Sequence, residues 1–303
     1  MSFPVPTMPV PHGSVVGLGQ LGGSLAAALV AAGREVTGWD VDPAAREAAA
    51  ARGVRIARGM AGVVVLAVPL PAMAGALEGL DVDPDATVTD LGSVKAPVLA
   101  ELGTALGGRY VGGHPMCGTE RSGHEATDPG LFTDARWALC LESGTELPRW
   151  LRVAEVALAV GAEVVPATAA EHDDAVAAVS HVPHLLAAAL AAAAGEAGPL
   201  ALALAAGSFR DGTRVIGSDP GFVTAMVQGN AGPTASALAR VLEQLARPWP
   251  ELVAAGHAVR TAPGGGRAVR VPLERAALLA LGRAGGTVTR RLAAFVEGRV
   301  PGA

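Results

Sequence analysis

The chain contains a single lysine, Lys95. Basic residues number 23 against 28 acidic ones, for a net charge of −5, and no basic stripe or block occurs. A nucleic-acid partner needs clustered cations on one face, so none is expected. Aromatic residues make up 3%, too few for base-stacking platforms. Cysteine occurs twice, at Cys117 and Cys140, which is no disulfide framework. A reducing compartment fits, and the location reads as cytoplasmic. There is no H-E-x-x-H and no cysteine cluster, so no metal site is expected. A long uninterrupted apolar run is also missing. The most apolar stretch, Leu185 to Ala206, is split by Gly195, Glu196, Gly198 and Pro199. It reads as two short Ala/Leu helices buried at a subunit interface, not as a bilayer span, and no membrane partner is expected. Residues 1–13, with proline at four positions and no basic or long apolar segment, read as a flexible tail and not a signal peptide.

Glycine, in contrast, is abundant at 40 residues, and half the chain is hydrophobic, enough for a sizeable core. Val15 to Leu29, VVGLGQLGGSLAAAL, reads as a strand end, a glycine turn and a helix. Gly17, Gly19 and Gly22 form G-x-G-x-x-G. In a dinucleotide site the first permits the tight turn, the second lets backbone approach a pyrophosphate, and the third lets helix pack on strand. The helix N-terminus then offers N–H groups to phosphates. The next strand, Glu35 to Trp39, ends at Asp40, where a Rossmann unit sets a carboxylate on the adenosine ribose hydroxyls. A carboxylate repels a 2′-phosphate, so NAD is expected over NADP, with Arg46 able to soften the preference.

Strand and helix continue to alternate through the first half. Ser14–Val16, Glu35–Trp39, Val54–Ala57, Val63–Val68, Ala86–Asp90, Arg109–Gly113, Trp137–Leu141 and Glu163–Val165 are expected to share one parallel sheet. Ligands bind beyond the carboxyl ends of such strands. Gly17, Asp40, Pro69, Ser93 and His114 occupy those ends. The segment Gly112 to Gly123, GGHPMCGTERSG, is too polar for core and too short for a helix. His114 within it is therefore a catalytic candidate, whereas no base-paired nucleophile pattern surrounds Cys117.

From Thr168 the chain reads as all-helical. Ala169 to Ala194 carries His172, Asp173, Asp174, His181 and His184, with a kink expected at Pro183. His181 and His184 share a face, which admits a metal site lacking its third ligand, plain core histidines, or an active-site lining. Arg210 and Arg214, four apart, either pair with Asp211 or Asp219 or clamp substrate carboxylates. Helices are expected from Asp219 to Asn230, Thr234 to Ala246, Pro250 to Arg260, Leu273 to Arg283 and Thr287 to Glu297, with Gly264 to Gly266 as a flexible connector. The fold class is thus α/β. A Rossmann-type parallel sheet spans residues 14–166, and an all-helical dimerisation domain spans 167–303.

The motifs GLGQLGGSL, DLGSVK, GGHPMCGTERSG, EHDDAVAAVSHVPH and FRDGTRVIGSDP occur in that order between Val15 and Asn230. In this the chain resembles the prephenate dehydrogenase family of tyrosine biosynthesis. The resemblance implies an NAD-dependent oxidative decarboxylation of prephenate, a homodimer formed through the helical domain, and an active site between the domains. It implies His114 as the catalytic histidine and Ser93 as the serine that orients it and the nicotinamide. It implies Arg214 on a substrate carboxylate, with Glu120, His181 and Arg210 lining the cleft. Val223 stands where some relatives carry a tryptophan, which leaves arogenate as the alternative substrate. A β-hydroxyacid dehydrogenase would want a lysine in the helical domain, and none occurs there. A non-catalytic NAD-binding sensor would not need Ser93, His114 and Arg214 together. No appended regulatory domain is expected.

Overall fold

The computed structural model describes residues 12–118, 121–262 and 266–301. It divides into two units: Met1–His172 with Gly264–Ala303, and Asp173–Pro263. The tail expected at residues 1–13 lies outside the described residues up to residue 11, and Gly13 already belongs to the first strand.

The first unit begins with β1 Gly13–Val16, α1 Gln20–Ala31, β2 Val36–Trp39, α2 Pro43–Ala50, β3 Arg55–Ile56, β4 Gly59–Met60 and β5 Val63–Leu66. β6 Asp81–Val82 and β7 Thr87–Asp90 follow, then α3 Ala96–Val98, a π-helical turn, α4 Thr104–Leu106 and β8 Tyr110–Val111. Six of these strands form a sheet of order β3-β2-β1-β5-β7-β8, in which every pairing is parallel. β1 and β5 are apolar and buried at every position but Ser14, which is buried too, as a sheet covered on both faces requires. Strand order reverses at β1, so the crevice beyond its carboxyl end is the topological switch point. α2 starts where Asp42 accepts a hydrogen bond from Ala44 N at 2.9 Å and Pro43 takes the first turn.

At Gly112 the chain leaves this sheet. β9 Gly113–Pro115 pairs antiparallel with β10 Arg136–Cys140, and β10 pairs parallel with β11 Glu163–Ala167 across α5 Leu147–Ala159. The strands expected at Trp137 and Glu163 therefore do not extend the first sheet but build a second one. Glycine permits the crossing: a Cβ on Gly113 would lie 2.6 Å from the Asp90 carbonyl oxygen.

The helical unit receives the chain within α6 Ala169–Val176. It continues through a π-helical turn, Ala177–His181, into α7 Val182–Glu196. Pro183 sits in the first turn of α7, and the wide turn before it absorbs the missing N–H. α8 Pro199–Ala203, α9 Gly207–Thr213, α10 Pro220–Gly229, α11 Ala231–Leu245 and α12 Trp249–Arg260 complete the unit. The run Ala169–Glu196 meets the length and composition of a bilayer span. It carries His172, Asp173, Asp174, His181 and His184, and it packs Ala177 and Val182 against Ala237.

The expectation of helix to the end of the chain is overturned. β12 Gly266–Pro272, α13 Arg275–Arg283, β13 Thr287–Arg291 and β14 Phe295–Pro301 rejoin the first unit, so the helical domain does not run to 303. The second sheet reads β12-β14-β13-β11-β10-β9, with Val164 opposite Val288. Thr287, Val288 and Thr289 are β-branched, and β14 buries Val296 and Gly298 between more open neighbours, which is strand periodicity. Gly266, placed in a connector, opens β12. α13 lies so close to β11 that a Cβ on Gly282 would overlap the Pro166 carbonyl oxygen.

Candidate active site

The glycine turn adopts the geometry its spacing requires. Gly17 has φ 90°, and a Cβ there would meet the Ala67 carbonyl oxygen at 2.5 Å. A Cβ on Gly22 would overlap the Gly17 carbonyl and approach Ala67 Cβ to 2.7 Å. Gly19 caps α1 without a side-chain bond, and a Cβ there would meet nothing within 4 Å. The turn thus presents open backbone at a helix N-terminus, which fits a pyrophosphate. Leu18 N donates to Asp40 Oδ2 at 2.6 Å and Asp42 N to Oδ1 at 2.8 Å, so Asp40 locks the turn to the end of β2. Arg46 donates to the carbonyls of Asp40 and Val41, at 2.6 and 3.1 Å. Its guanidinium lies 4.8 Å above the Trp39 ring, and that of Arg58 lies 4.4 Å from the same ring. Pro69 is exposed beyond β5.

Beyond β7 stands a cluster that the sequence reading missed. Asp90 and Lys95 are both 0% exposed and form an ion pair. Tyr110 donates its hydroxyl hydrogen to Asp90 Oδ2 at 2.6 Å, and Gly92 N and Gly113 N donate to the same carboxylate at 2.7 and 3.3 Å. Lys95 Nζ also donates to the Gly113 carbonyl at 2.7 Å. One buried ion pair therefore anchors both the Asp90–Lys95 loop, which carries Ser93, and the strand that carries His114. The signal was present: a lone lysine five residues after an acid that ends a buried strand. Ser93 is half-buried, and its hydroxyl is not hydrogen-bonded to His114.

His114 Nδ1 lies 2.8 Å from His172 Nε2, with ring centroids 5.1 Å apart and planes at 69°. His172 is 4% exposed and stands on α6. That helix is fixed at its start by a capping box, in which Thr168 N donates to Glu171 Oε2 at 2.9 Å and Glu171 N to Thr168 Oγ1 at 3.3 Å. Arg283 of α13 pairs with the same Glu171 at 2.6 Å. Backbone and side-chain donors from Thr168, then Arg283, hold the Glu171 carboxyl below its ordinary range. Burial pushes the Cys117 thiol up to about 12, which removes it as a thiolate nucleophile at neutral pH.

In the helical unit, His181 is 0% exposed, with Nδ1 3.1 Å from Asn230 Nδ2 and 3.3 Å from Thr234 Oγ1. It closes the π-helical turn before α7 and packs beside Asn230, between α10 and α11, and Thr234 of α11. His184 donates from Nδ1 to the Ser180 carbonyl at 2.8 Å. Arg210 on α9 and Arg214 at the start of the following 3₁₀ turn are exposed. Val223 is buried. Glu120 lies outside the described residues. No group of three or more His, Cys, Asp or Glu placed to hold a metal occurs among the described residues.

The model for the nucleotide-binding domain of prephenate dehydrogenase matches residues 25–166, and that for its dimerisation domain matches 168–253. The chain belongs to the prephenate dehydrogenase family. The prephenate dehydrogenase of Bacillus subtilis is 32% identical over 224 residues, 68% of this chain and 60% of that protein. The chain thus spans about three-fifths of that curated relative. A crystal structure of Aquifex aeolicus prephenate dehydrogenase in complex with hydroxyphenyl propionate and NAD+ is 28% identical, with a TM-score of 0.76, covering 84% of this chain and 97% of that one. Synechocystis arogenate dehydrogenase is 29% identical, with a TM-score of 0.69, over 82% of this chain and 97% of that one. The two prephenate dehydrogenase matches meet between residues 166 and 168, beside the capping box that orients His172. Residues 266–301 lie outside both.

Proposed function

We propose that the chain is an NAD-dependent prephenate dehydrogenase that converts prephenate to 4-hydroxyphenylpyruvate and carbon dioxide. The observation that carries this reading is the pairing of His114 with His172, on a strand anchored to the end of β7 in the sheet that bears the glycine turn. β8, three strands from β1 in the first sheet, leads through Gly112 into β9, and Gly113 of β9 is held to Asp90 at the carboxyl end of β7. That suits a cofactor with its pyrophosphate at Gly19 and its ribose at Asp40. NAD, when bound there, supplies the hydride acceptor. His114 Nε2 takes the proton of the ring hydroxyl as the carbinol carbon is oxidised. Ser93 orients the nicotinamide. Arg214, with Arg210, pairs with the carboxylates of a dianionic substrate through bidentate hydrogen bonds. The ring carboxylate then leaves as carbon dioxide, its bonding pair passes into the dienone, and the ring becomes aromatic.

Self-association through the helical unit is part of the proposal. It is supported by the match to a dimerisation domain and by Leu200, Leu204, Trp249 and Val259, which are exposed. Arogenate is the second reading, supported by the similarity to an arogenate dehydrogenase. The test is NADH absorbance with prephenate or arogenate and NAD or NADP. Turnover with prephenate and NAD supports the reading, and turnover with arogenate alone moves the substrate. A base of this kind contributes about 10²–10⁴-fold. His114→Asn should lose that factor and keep NAD binding, and unchanged turnover would refute the assignment.

A further inference from the structure

The geometry points to His172 as a positioning residue that fixes the tautomer of His114. The inference rests on the reading of His114 as the base. His114 has little backbone freedom. β9 pairs it with Ala138, and Gly113 before it is held by Asp90 and Lys95. What remains is the ring, and at 2.8 Å its Nδ1 is hydrogen-bonded to His172 Nε2. In a neutral imidazole one nitrogen donates and the other accepts. Two arrangements of the pair are therefore possible. If His172 donates, the proton of His114 sits on Nε2, and that nitrogen cannot take one from substrate. If His114 Nδ1–H donates to His172, Nε2 carries the lone pair and is the base.

An isolated histidine side chain in water prefers the Nε2–H form, the wrong one for this reaction. His172 reverses that preference by offering a lone pair to Nδ1–H. The burial of His172 strengthens the bond, since the competing solvent is removed. Once His114 has accepted the substrate proton, Nδ1–H carries part of a positive charge, and the bond to His172 becomes charge-assisted. The start of the helix that carries His172 is itself held by the Thr168–Glu171 capping box and by Arg283. A carboxylate serves the catalytic histidine of serine proteases in the same way, and the change that yields the wrong tautomer there costs about 10⁴-fold.

The test uses the full chain, His172→Leu and His172→Gln. Glutamine can set an acceptor oxygen near the place of Nε2, and leucine cannot. Histidine ¹⁵N spectra read the tautomer of His114 directly, and steady-state rates read the consequence. In wild type, Nδ1 should carry the proton. In His172→Leu, Nε2–H should predominate, kcat should fall at least about 10²-fold, and the KM for NAD should stay within about twofold, because only the base is misplaced. His172→Gln should recover most of kcat and the Nδ1–H signal. A leucine variant with the wild-type tautomer and kcat overturns the inference. So does a glutamine variant that is folded and as impaired as leucine. If wild type turns over neither prephenate nor arogenate, the functional reading has failed, and the spectra alone decide: a tautomer change in His172→Leu supports the positioning role, and none refutes it.

Discussion

Replacing Lys95 with methionine keeps the stem and deletes the ammonium, leaving the Asp90 carboxylate buried without its cation. Removing one partner of a buried ion pair typically costs about 3–5 kcal/mol. Asp90 retains hydrogen bonds from Tyr110 Oη, Gly92 N and Gly113 N at 2.6, 2.7 and 3.3 Å, which sets the expected loss at the lower end, about 3 kcal/mol. Asp90→Leu strands an ammonium instead and should cost nearer 5 kcal/mol. The double variant should cost less than the sum, by about 0.5–3 kcal/mol of coupling. For a unit of this size Lys95→Met corresponds to a Tm lowered by roughly 6–12 °C. Urea unfolding followed by tryptophan fluorescence measures it, since Trp39, Trp137 and Trp150 all lie in the first unit. A loss below about 1 kcal/mol with unchanged m would show that the pair behaves like an exposed one, and the reasoning would fail.

Gly22→Ala pushes a methyl group into the Gly17 carbonyl, so overpacking should cost about 1–3 kcal/mol by urea midpoint and weaken NAD binding by titration. Asp40→Ala releases Leu18 N and removes the charge that opposes a 2′-phosphate; the ratio of kcat/KM for NAD over NADP should fall about tenfold, on the scale of 1–2 kcal/mol for charges about 4 Å apart near water. Glu171 has its carboxyl pKa depressed from 4.5 by Thr168 and Arg283, so it stabilises the fold above about that pH, and the contribution is lost as pH falls through the folded value. The Tm gap between wild type and Glu171→Gln should therefore narrow on acidification, and a gap that widens would reverse the assigned sign.

What the sequence revealed followed from local chemistry. G-x-G-x-x-G, the acid at Asp40 and the apolar runs of β1 and β5 each specify their own geometry within a few residues, whereas the parallel order expected to carry on to His114 stops at β8, and His114 stands on β9 of the second sheet. His172 and Lys95 were visible as residues but not as partners, because a contact across 58 positions and an internal ion pair leave no period to read. The last strands were misread as helix because alanine and leucine dominate the flanking α13, while the β-branched Thr287–Val288–Thr289 is short. Their pairing with β11 is a tertiary fact that overrides local propensity. The burial of His181 beside Asn230 and Thr234 was not legible, because helical spacing places it on a face without saying what that face meets.

The return of residues 266–301 to the second sheet also bears on biosynthesis. β11 waits for a neighbour 124 positions further along, Val164 for Val288, and the whole helical unit is made in between. A nascent chain therefore leaves the ribosome with the β9–β10–β11 layer open along one edge, and such edges recruit other strands. At about 5–20 residues per second, the exposure lasts roughly 6–25 seconds. Until it ends, Arg283 is not yet in place to brace the helix that carries His172. The surroundings of the His114–His172 pair are thus completed late, by nearly the last segment to emerge, and a chaperone that shields that edge during the interval would raise the yield of folded protein without touching the finished fold.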